Sequence, residues 1–282
     1  MAHRFTLTAL VLCASIGCSY LLAAAPDRAA AILDQAREAI GGQARLRAVH
    51  ALSLKITSQS DMDGGAPVST TLAMHFLMPD KFLVARDWPF SFTRRIGGFS
   101  GNQLVEQRLL SGVWADVGFG DGGTDALARQ LAARRRECLR YLLAWLLTAP
   151  EQYGLQFSDG GEAGSPGAGA DLVDVKGASD FAVRLSFDRQ THHLITLTYR
   201  EPPANGVPAS DPSTASRDNQ VFKSIEGPAA PETRMRLEQY RADDGIVFPH
   251  RVTIELEGLR DVWRISRFTV NPRLTSRQFE KR

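Results

Sequence analysis

The residues that could do chemistry in this chain are scattered and do not form a recognised motif. Of six histidines, His192 and His193 are adjacent and would point to opposite faces of a strand, and His50, His75 and His250 stand singly. The chain contains no G-x-S-x-G elbow, P-loop, H-E-x-x-H or C-x-x-C motif. We therefore predict no catalytic residue, no metal site and no cofactor, and a protein that is not an enzyme.

The acidic pairs and the single internal cysteine also have plain structural interpretations. Asp61/Asp63 and Asp243/Asp244 are followed by glycines, which is typical of turns in which Asp bonds to nearby backbone. They would act as an acid/base pair only if folding made them converge in a pocket. Cys138 lies among apolar residues of a helical pattern, which favours a buried, inert thiol over a nucleophile.

The overall charge does not indicate a nucleic-acid partner. The chain has 33 basic and 31 acidic residues, for a formal net charge of +2. Arg134–Arg136 is the one dense basic run, and its sequence pattern favours a solvated helix face over a phosphate site. We predict no nucleic acid as a partner.

The N-terminus is typical of an export signal. Arg4 precedes an apolar stretch, and Ala23–Ala25 offers small residues for cleavage, so residues 1–25 are predicted to be removed. The expected location is the periplasm. Cys18, in the run Ser15–Cys18, would instead be lipidated if the run acts as a lipoprotein signal, and the protein would then be anchored to the outer membrane.

The elements that would position any site are mostly strands. A short amphipathic helix follows Asp27 and stops at Gly41-Gly42, and a long helical pattern covers Asp125–Thr148. Residues 26–282 are predicted to form one domain, with mobile inserts at 160–169 and 201–219. Period-2 patterns bounded by turn residues predict strands over 51–60, 68–78, 81–87, 90–98, 103–109, 113–117, 155–158, 171–176, 181–188 and 192–200.

The C-terminal third gives the clearest strand signal. Asp244-Gly245 is a hairpin turn signal, and Val252, Ile254 and Leu256 share one face of the strand that follows. Leu72, Met74 and Phe76 likewise share one face of an earlier strand. Such a face either belongs to a filled core or lines an apolar cavity.

Four stretches of the chain form a pattern when taken together: the export signal with the helix AAILDQAREAIGGQARLRAV, the strand pair around LSFDRQTHHLITLTYR, the hairpin YRADDGIVFPHRVTI and the tail FTVNPRLTSRQFEKR. In this order they resemble the LolA/LolB-like lipoprotein-sorting proteins. The resemblance implies a mainly β fold: a half-open antiparallel β-barrel of about eleven strands. An N-terminal helix and one long internal helix would cover it.

The same resemblance implies an apolar barrel that holds the acyl chains of a lipid or lipoprotein and aids its transport to the outer membrane. The alternative is an envelope sensor or scaffold whose barrel is filled by its own side chains and which acts through envelope protein partners. For the first function, the predicted cavity and lid residues are Leu72, Met74, Phe76, Leu139, Leu142, Leu143, Trp145, Leu146, Val183, Leu185, Val252 and Ile254.

Overall fold

The structure is a computed structural model that describes residues 27–62, 67–88, 93–117, 123–164, 169–201 and 231–282. The predicted export signal with Cys18 lies outside the described residues. So does the second predicted insert, except for Glu201.

In the described part of the chain, thirteen antiparallel strands form one sheet, which confirms the mainly β, half-open architecture with two strands more than the eleven expected. The strands are β1 (Ala51–Met62), β2 (Val68–Leu77), β3 (Lys81–Trp88), β4 (Thr93–Ser100), β5 (Gln103–Leu110), β6 (Val113–Asp116), β7 (Gln156–Ala163), β8 (Ala170–Gly177), β9 (Phe181–Asp188), β10 (Leu194–Arg200), β11 (Glu232–Asp243), β12 (Ile246–Leu256) and β13 (Leu259–Val270).

The first and last strands pair in the middle of the sheet. Because β1 pairs with β13, the strands β2 to β6 extend to one side, and β12 back to β7 extend to the other. The edge strands β6 and β7 are consecutive in the chain but lie at opposite ends of the strand order. The connection between them contains the long helix α3 (Gly123–Leu146). This helix is about 36 Å long and contacts β4, β5 and β10, so it crosses the inner face of the curved sheet.

The N-terminal helix forms as its sequence predicts. The Asp27 side chain caps α1 (Arg28–Ala39) by accepting a hydrogen bond of 3.1 Å from the Ala29 amide. Gly41 and Gly42 end the helix with φ angles of 136° and 86°, which a residue with a Cβ rarely adopts. The short helix α2 (Gln43–Arg47) follows. The buried stripe of α1 joins the same core as α3.

Two hydrophobic clusters lie on the two faces of the sheet. The main core cluster contains the inner-face side chains of the strands together with those of α1 and α3. The second core cluster consists of Leu83, Ala85, Ile96 and Val105 from β3 to β5, with Phe279 from the C-terminal tail. Phe279 is the last residue of a short 3-10 turn, Ser276–Phe279, that begins at a capping box formed by Thr275 and Gln278. This part of the sheet is therefore buried on both faces.

The first predicted insert overlaps a strand: residues 160–163 belong to β7, where a bulge between Asp159 and Gly161 accommodates the glycines, and Glu162 forms ion pairs with Arg28 and Arg189. Residues 165–168 of this insert lie outside the described residues. Two other local predictions are wrong. His192 and His193 precede β10; His192 has a φ of 56°, and His193 stacks on Tyr240 with ring centroids 4.3 Å apart. Asp61 lies in β1, opposite Arg260, and not in a turn.

Candidate functional site

The second half of α3 is buried on all sides. From Cys138 to Leu147 every residue is less than 9% exposed, whereas Leu127, near the start of the helix, is 49% exposed. The sequence CLRYLLAWLL explains this difference, because a helix that is apolar around its whole circumference has no face to offer to water. We call residues 138–147 the buried segment of α3.

The predicted cavity and lid residues share one core cluster with this segment. Except for Ile254, each is buried and belongs to the main core cluster; Ile254 is partly buried and packs against it. The strand residues of this set lie on both sides of the β1/β13 pair and belong to, or pack against, the same cluster as the buried segment. The structure thus brings the predicted residues together, and their role in ligand binding stays a prediction.

Aromatic side chains mark where the helix crosses the middle of the sheet. The Tyr141 ring lies between Phe82 and Trp263, with centroid distances of 6.1 and 5.7 Å. Trp145 is buried, and its indole N–H has no hydrogen-bond acceptor among the described residues. An unpaired buried donor costs about 1–3 kcal/mol. The Trp145 N–H is therefore a buried donor that the described part of the protein does not satisfy.

The Cys138 thiol is buried, as predicted. Burial, with a smaller contribution from Glu137, raises its pKa well above the ordinary cysteine value. A neutral thiol is a poor nucleophile.

The arginine run is not a solvated helix face, so that interpretation is wrong. The Arg134 guanidinium contacts the buried carboxylate of Glu106 on β5 and lies 2.6 Å from Glu137 Oε2. Burial opposes the charge on Arg134, but the two carboxylates outweigh it and raise its pKa. Gly97 on β4 leaves the space for this pair, because a Cβ there would collide with the guanidinium. Arg134 therefore fastens α3 to one side of the sheet.

Arg140 fastens α3 to the other side. Its guanidinium carbon lies 4.1 Å from the centroid of the Tyr199 ring on β10, and Nη2 is 2.5 Å from Glu201 Oε1. The same carboxylate lies 3.5 Å from Arg136 Nε. Arg140 is 7% exposed, so its stem and head are both inside the protein. Two arginines thus share one carboxylate at this side of the helix.

A cleft of about 450 Å³ opens beside the buried segment, and we call it the arginine cleft. Its walls come from α3, from the β2–β3, β4–β5 and β8–β9 turns, and from the 3-10 turn Glu151–Tyr153 that follows the helix. Gln152 and Tyr153 both donate hydrogen bonds to the Pro79 carbonyl, at 3.2 and 3.4 Å. The lining residues are Asp80, Phe99, Gly101, Asn102, Ala132, Arg135, Arg136, Leu139, Gln152, Tyr153, Ala178 and Ser179.

Sequence reasoning missed this cleft, although a signal for it existed. Ala132, Arg135, Arg136 and Leu139 recur at intervals of three and four residues and so share one helix face. Leu139 is the predicted site residue that lines the cleft, and it also belongs to the main core cluster. The sequence of this helix face does not show which other elements pack around it.

Within the described ranges, no three His, Cys, Asp or Glu side chains lie close enough together to hold a metal ion. No helix among the same residues is both long and apolar enough to cross a membrane.

The fold is similar to that of several solved structures. A LolA superfamily protein from Nitrosomonas europaea shares 12% identity, covers 90% of this chain and 97% of its own, and has a TM-score of 0.54. A domain from Vibrio parahaemolyticus, provisionally described as an outer membrane lipoprotein-sorting protein domain, shares 11% identity over 88% and 95% of the two chains, with a TM-score of 0.51.

A DUF1329 family protein from Desulfovibrio piger is similar to the same degree. It shares 11% identity over 90% of this chain and 98% of its own, with a TM-score of 0.50. No protein-family model matches the chain. No curated protein matches it in sequence. At these identities the similarity establishes the fold, which is the LolA-like fold that the sequence resemblance implied.

Proposed function

We propose that this protein binds the acyl chains of a lipid or lipoprotein inside its half-open sheet, without catalysing a reaction. The observation that carries the proposal is the arginine cleft, which reaches the main core cluster at Leu139 and Phe99. Its volume of about 450 Å³ lies within the range of small-molecule sites. Acyl chains need a dry apolar surface and little directed polar chemistry, and this interior offers such a surface.

Two features of the buried segment support an acyl ligand there. Its leucines are held by van der Waals contacts alone. A small displacement of α3 could therefore replace contacts between side chains with contacts to an acyl chain. The unpaired Trp145 N–H is a donor that an ester or amide carbonyl of a lipid could satisfy. The predicted residues from Leu72 to Ile254 would then form the wall of the site and the leucines of α3 its lid.

We further propose that the protein acts in the periplasm and aids the movement of its ligand to the outer membrane. The predicted export signal supports the location. The name of the Vibrio parahaemolyticus domain, which has the same fold, supports the role. Both proposals can be tested on protein recovered from an envelope fraction.

Native mass spectrometry of that protein, followed by organic extraction, is the direct test. A lipid or acylated peptide recovered at one per protein is the expected result. A clean apo mass that added phospholipid does not change would contradict the proposal.

A matched pair of variants tests the place of binding. Ala132→Trp would fill the cleft, whereas Ala128→Trp places the same side chain one turn earlier, at an exposed position of the same helix. We expect cis-parinaric acid, a fluorescent fatty acid, to bind at least about tenfold more weakly to Ala132→Trp, a loss of about 1.4 kcal/mol. The Ala128→Trp protein should bind like the wild type. Equal binding by all three proteins would contradict a site in the cleft.

The close packing of the core favours a second candidate function: a sensor or scaffold that acts through contacts with other proteins. The predicted wall residues are buried, or nearly so, in one cluster with the helix, so the interior is largely filled by the protein itself. This candidate predicts a clean apo mass, no uptake of cis-parinaric acid and a defined envelope protein as partner.

A further inference from the structure

The arginine cleft carries more positive than negative charge. Arg135, Arg136 and Asp80 line it, and the Asp80 carboxylate is already paired with Lys81 at 3.1 Å. Glu201 lies beside Arg136 but is shared with Arg140. Three arginines and a lysine thus face two carboxylates. The surplus would attract an anion into the cleft.

Arg135 is the group with an uncompensated charge. Its Nη2 donates hydrogen bonds to the Gly101 carbonyl at 3.2 Å and to Asn102 Oδ1 at 2.7 Å, and both acceptors are neutral. No carboxylate of a described residue forms an ion pair with it. A guanidinium has five N–H donors in a planar fork, which suits the oxygens of a phosphate or carboxylate.

These neutral contacts also hold Arg135 in place. The β4–β5 turn fixes one edge of its guanidinium, and the guanidinium carbon lies 6.0 Å from the centroid of the Phe99 ring. Arg136 is oriented in a similar way by a hydrogen bond of 3.1 Å to the Ser179 carbonyl on the other wall. Pre-oriented donors lose less entropy when they bind an anion than free surface side chains do.

The floor of the cleft is apolar. Leu139 and Phe99 are 3% and 1% exposed, and both belong to the main core cluster. Tyr153 lies beside them, and burial raises its pKa to about 12, so its hydroxyl is neutral at physiological pH. A ligand that fits the whole cleft would therefore have a charged end and an apolar end.

We propose that the arginine cleft binds an anionic amphiphile, with its phosphate or carboxylate head on Arg135 and Arg136 and its apolar part against Leu139 and Phe99. This inference rests on the proposed function and adds the head-group chemistry of the ligand. It also assigns the arginine run a binding role beyond holding the helix.

Two probes with the same chain and different heads test the proposal. Dodecyl phosphate carries a net negative charge, whereas dodecylphosphocholine has no net charge, and both are titrated below their critical micelle concentrations. We expect the wild type to bind dodecyl phosphate at least about tenfold more tightly, a difference of about 1.4 kcal/mol. In Arg135→Gln this preference should fall to about threefold or less, with binding of dodecylphosphocholine unchanged.

The control variant is Arg129→Gln, which removes the same charge from an exposed position of the same helix. It should keep the wild-type preference. Equal loss of preference in Arg129→Gln and Arg135→Gln would overturn the proposal, since it would show a general charge effect. A wild type that binds both amphiphiles equally would overturn the head-group inference and leave the proposed function standing.

Inorganic phosphate distinguishes an amphiphile from a free anion. We expect it to compete with dodecyl phosphate only at much higher concentration, because it gains nothing from the apolar floor. Competition at equal concentration would contradict an amphiphilic ligand and indicate a site for a simple anion. If the wild type binds neither amphiphile, the proposed function itself fails, and the inference fails with it.

Discussion

Glu106 places a carboxylate inside the protein, where its side chain is 2% exposed. Arg134 contacts it directly, and Arg95 lies 3.6 Å from its second oxygen. Glu106→Ala removes one of the two carboxylates that offset the buried charge on Arg134 and leaves Glu137 as its remaining partner. Breaking a buried ion pair costs up to about 3–5 kcal/mol. We expect Glu106→Ala to lower the free energy of unfolding, measured in urea, by that amount.

A surface glutamate provides the control for this prediction. Glu232 is 43% exposed and lies 3.5 Å from Arg234, and such exposed pairs contribute at most about 1 kcal/mol. Glu232→Ala should therefore have little effect. Similar losses in the two variants would show that Glu106 is not a structural charge.

Cys138 supports a second prediction at the scale of single residues. Once residues 1–25 are removed, Cys138 is the single cysteine of the chain. Its raised pKa keeps the thiol neutral at pH 8, a pH at which a free cysteine begins to ionise. Ellman's reagent should react with the protein in urea and leave the folded protein unlabelled. Rapid labelling of the folded protein would mean that the buried segment opens readily.

At the scale of elements, α3 should derive its stability from its second half. Leu143→Ala removes a fully buried side chain and should cost about 2–5 kcal/mol. Leu127→Ala, near the exposed start of the same helix, should change stability by less than about 0.5 kcal/mol. Thermal unfolding followed by circular dichroism measures both. A small effect at Leu143 would show that the segment is held loosely.

The C-terminal tail is the second element with a defined task. Phe279 is fully buried and covers the outer face of β3 to β5, although it lies only three residues from the end of the chain. Phe279→Ala should destabilise the protein by about 3–5 kcal/mol. Arg277→Ala, an exposed change in the same turn, should be close to neutral. Equal stability of the two variants would show that the tail does not cover the sheet in solution.

At the scale of the whole molecule, the β1/β13 pair joins the two ends of the chain. The main core cluster includes residues from Ala29 to Phe268 and is shared by both halves of the sheet, while the second core cluster covers only the outer face of β3 to β5. The single domain predicted from the sequence therefore implies one cooperative unfolding transition. Far-UV circular dichroism and tryptophan fluorescence should report the same midpoint. The four tryptophans report on β3 (Trp88), β6 (Trp114), α3 (Trp145) and β13 (Trp263), whereas circular dichroism reports on the whole sheet. Separate midpoints would indicate two domains.

The sequence by itself determined the local structure of this protein. Asp244-Gly245 forms the predicted hairpin turn, with φ angles of 51° and 77°, and β9 shows the alternation from Phe181 to Phe187 that its sequence predicts. The helices lie where capping residues and apolar spacing indicated. These features depend on interactions between residues close in the chain, and such interactions can be inferred from a short window of sequence.

Only the tertiary structure decided where distant segments meet. The pairing of β1 with β13, the partner of each arginine from Arg134 to Arg136, and the walls of the arginine cleft all join residues far apart in the chain. The composition of one segment does not show which other segment will pack against it. From the sequence, the predicted apolar residues could be assigned to an inner face. The cleft beside them exists because β6 and β7 lie at opposite edges of the sheet, so that α3, which connects them, must cross it.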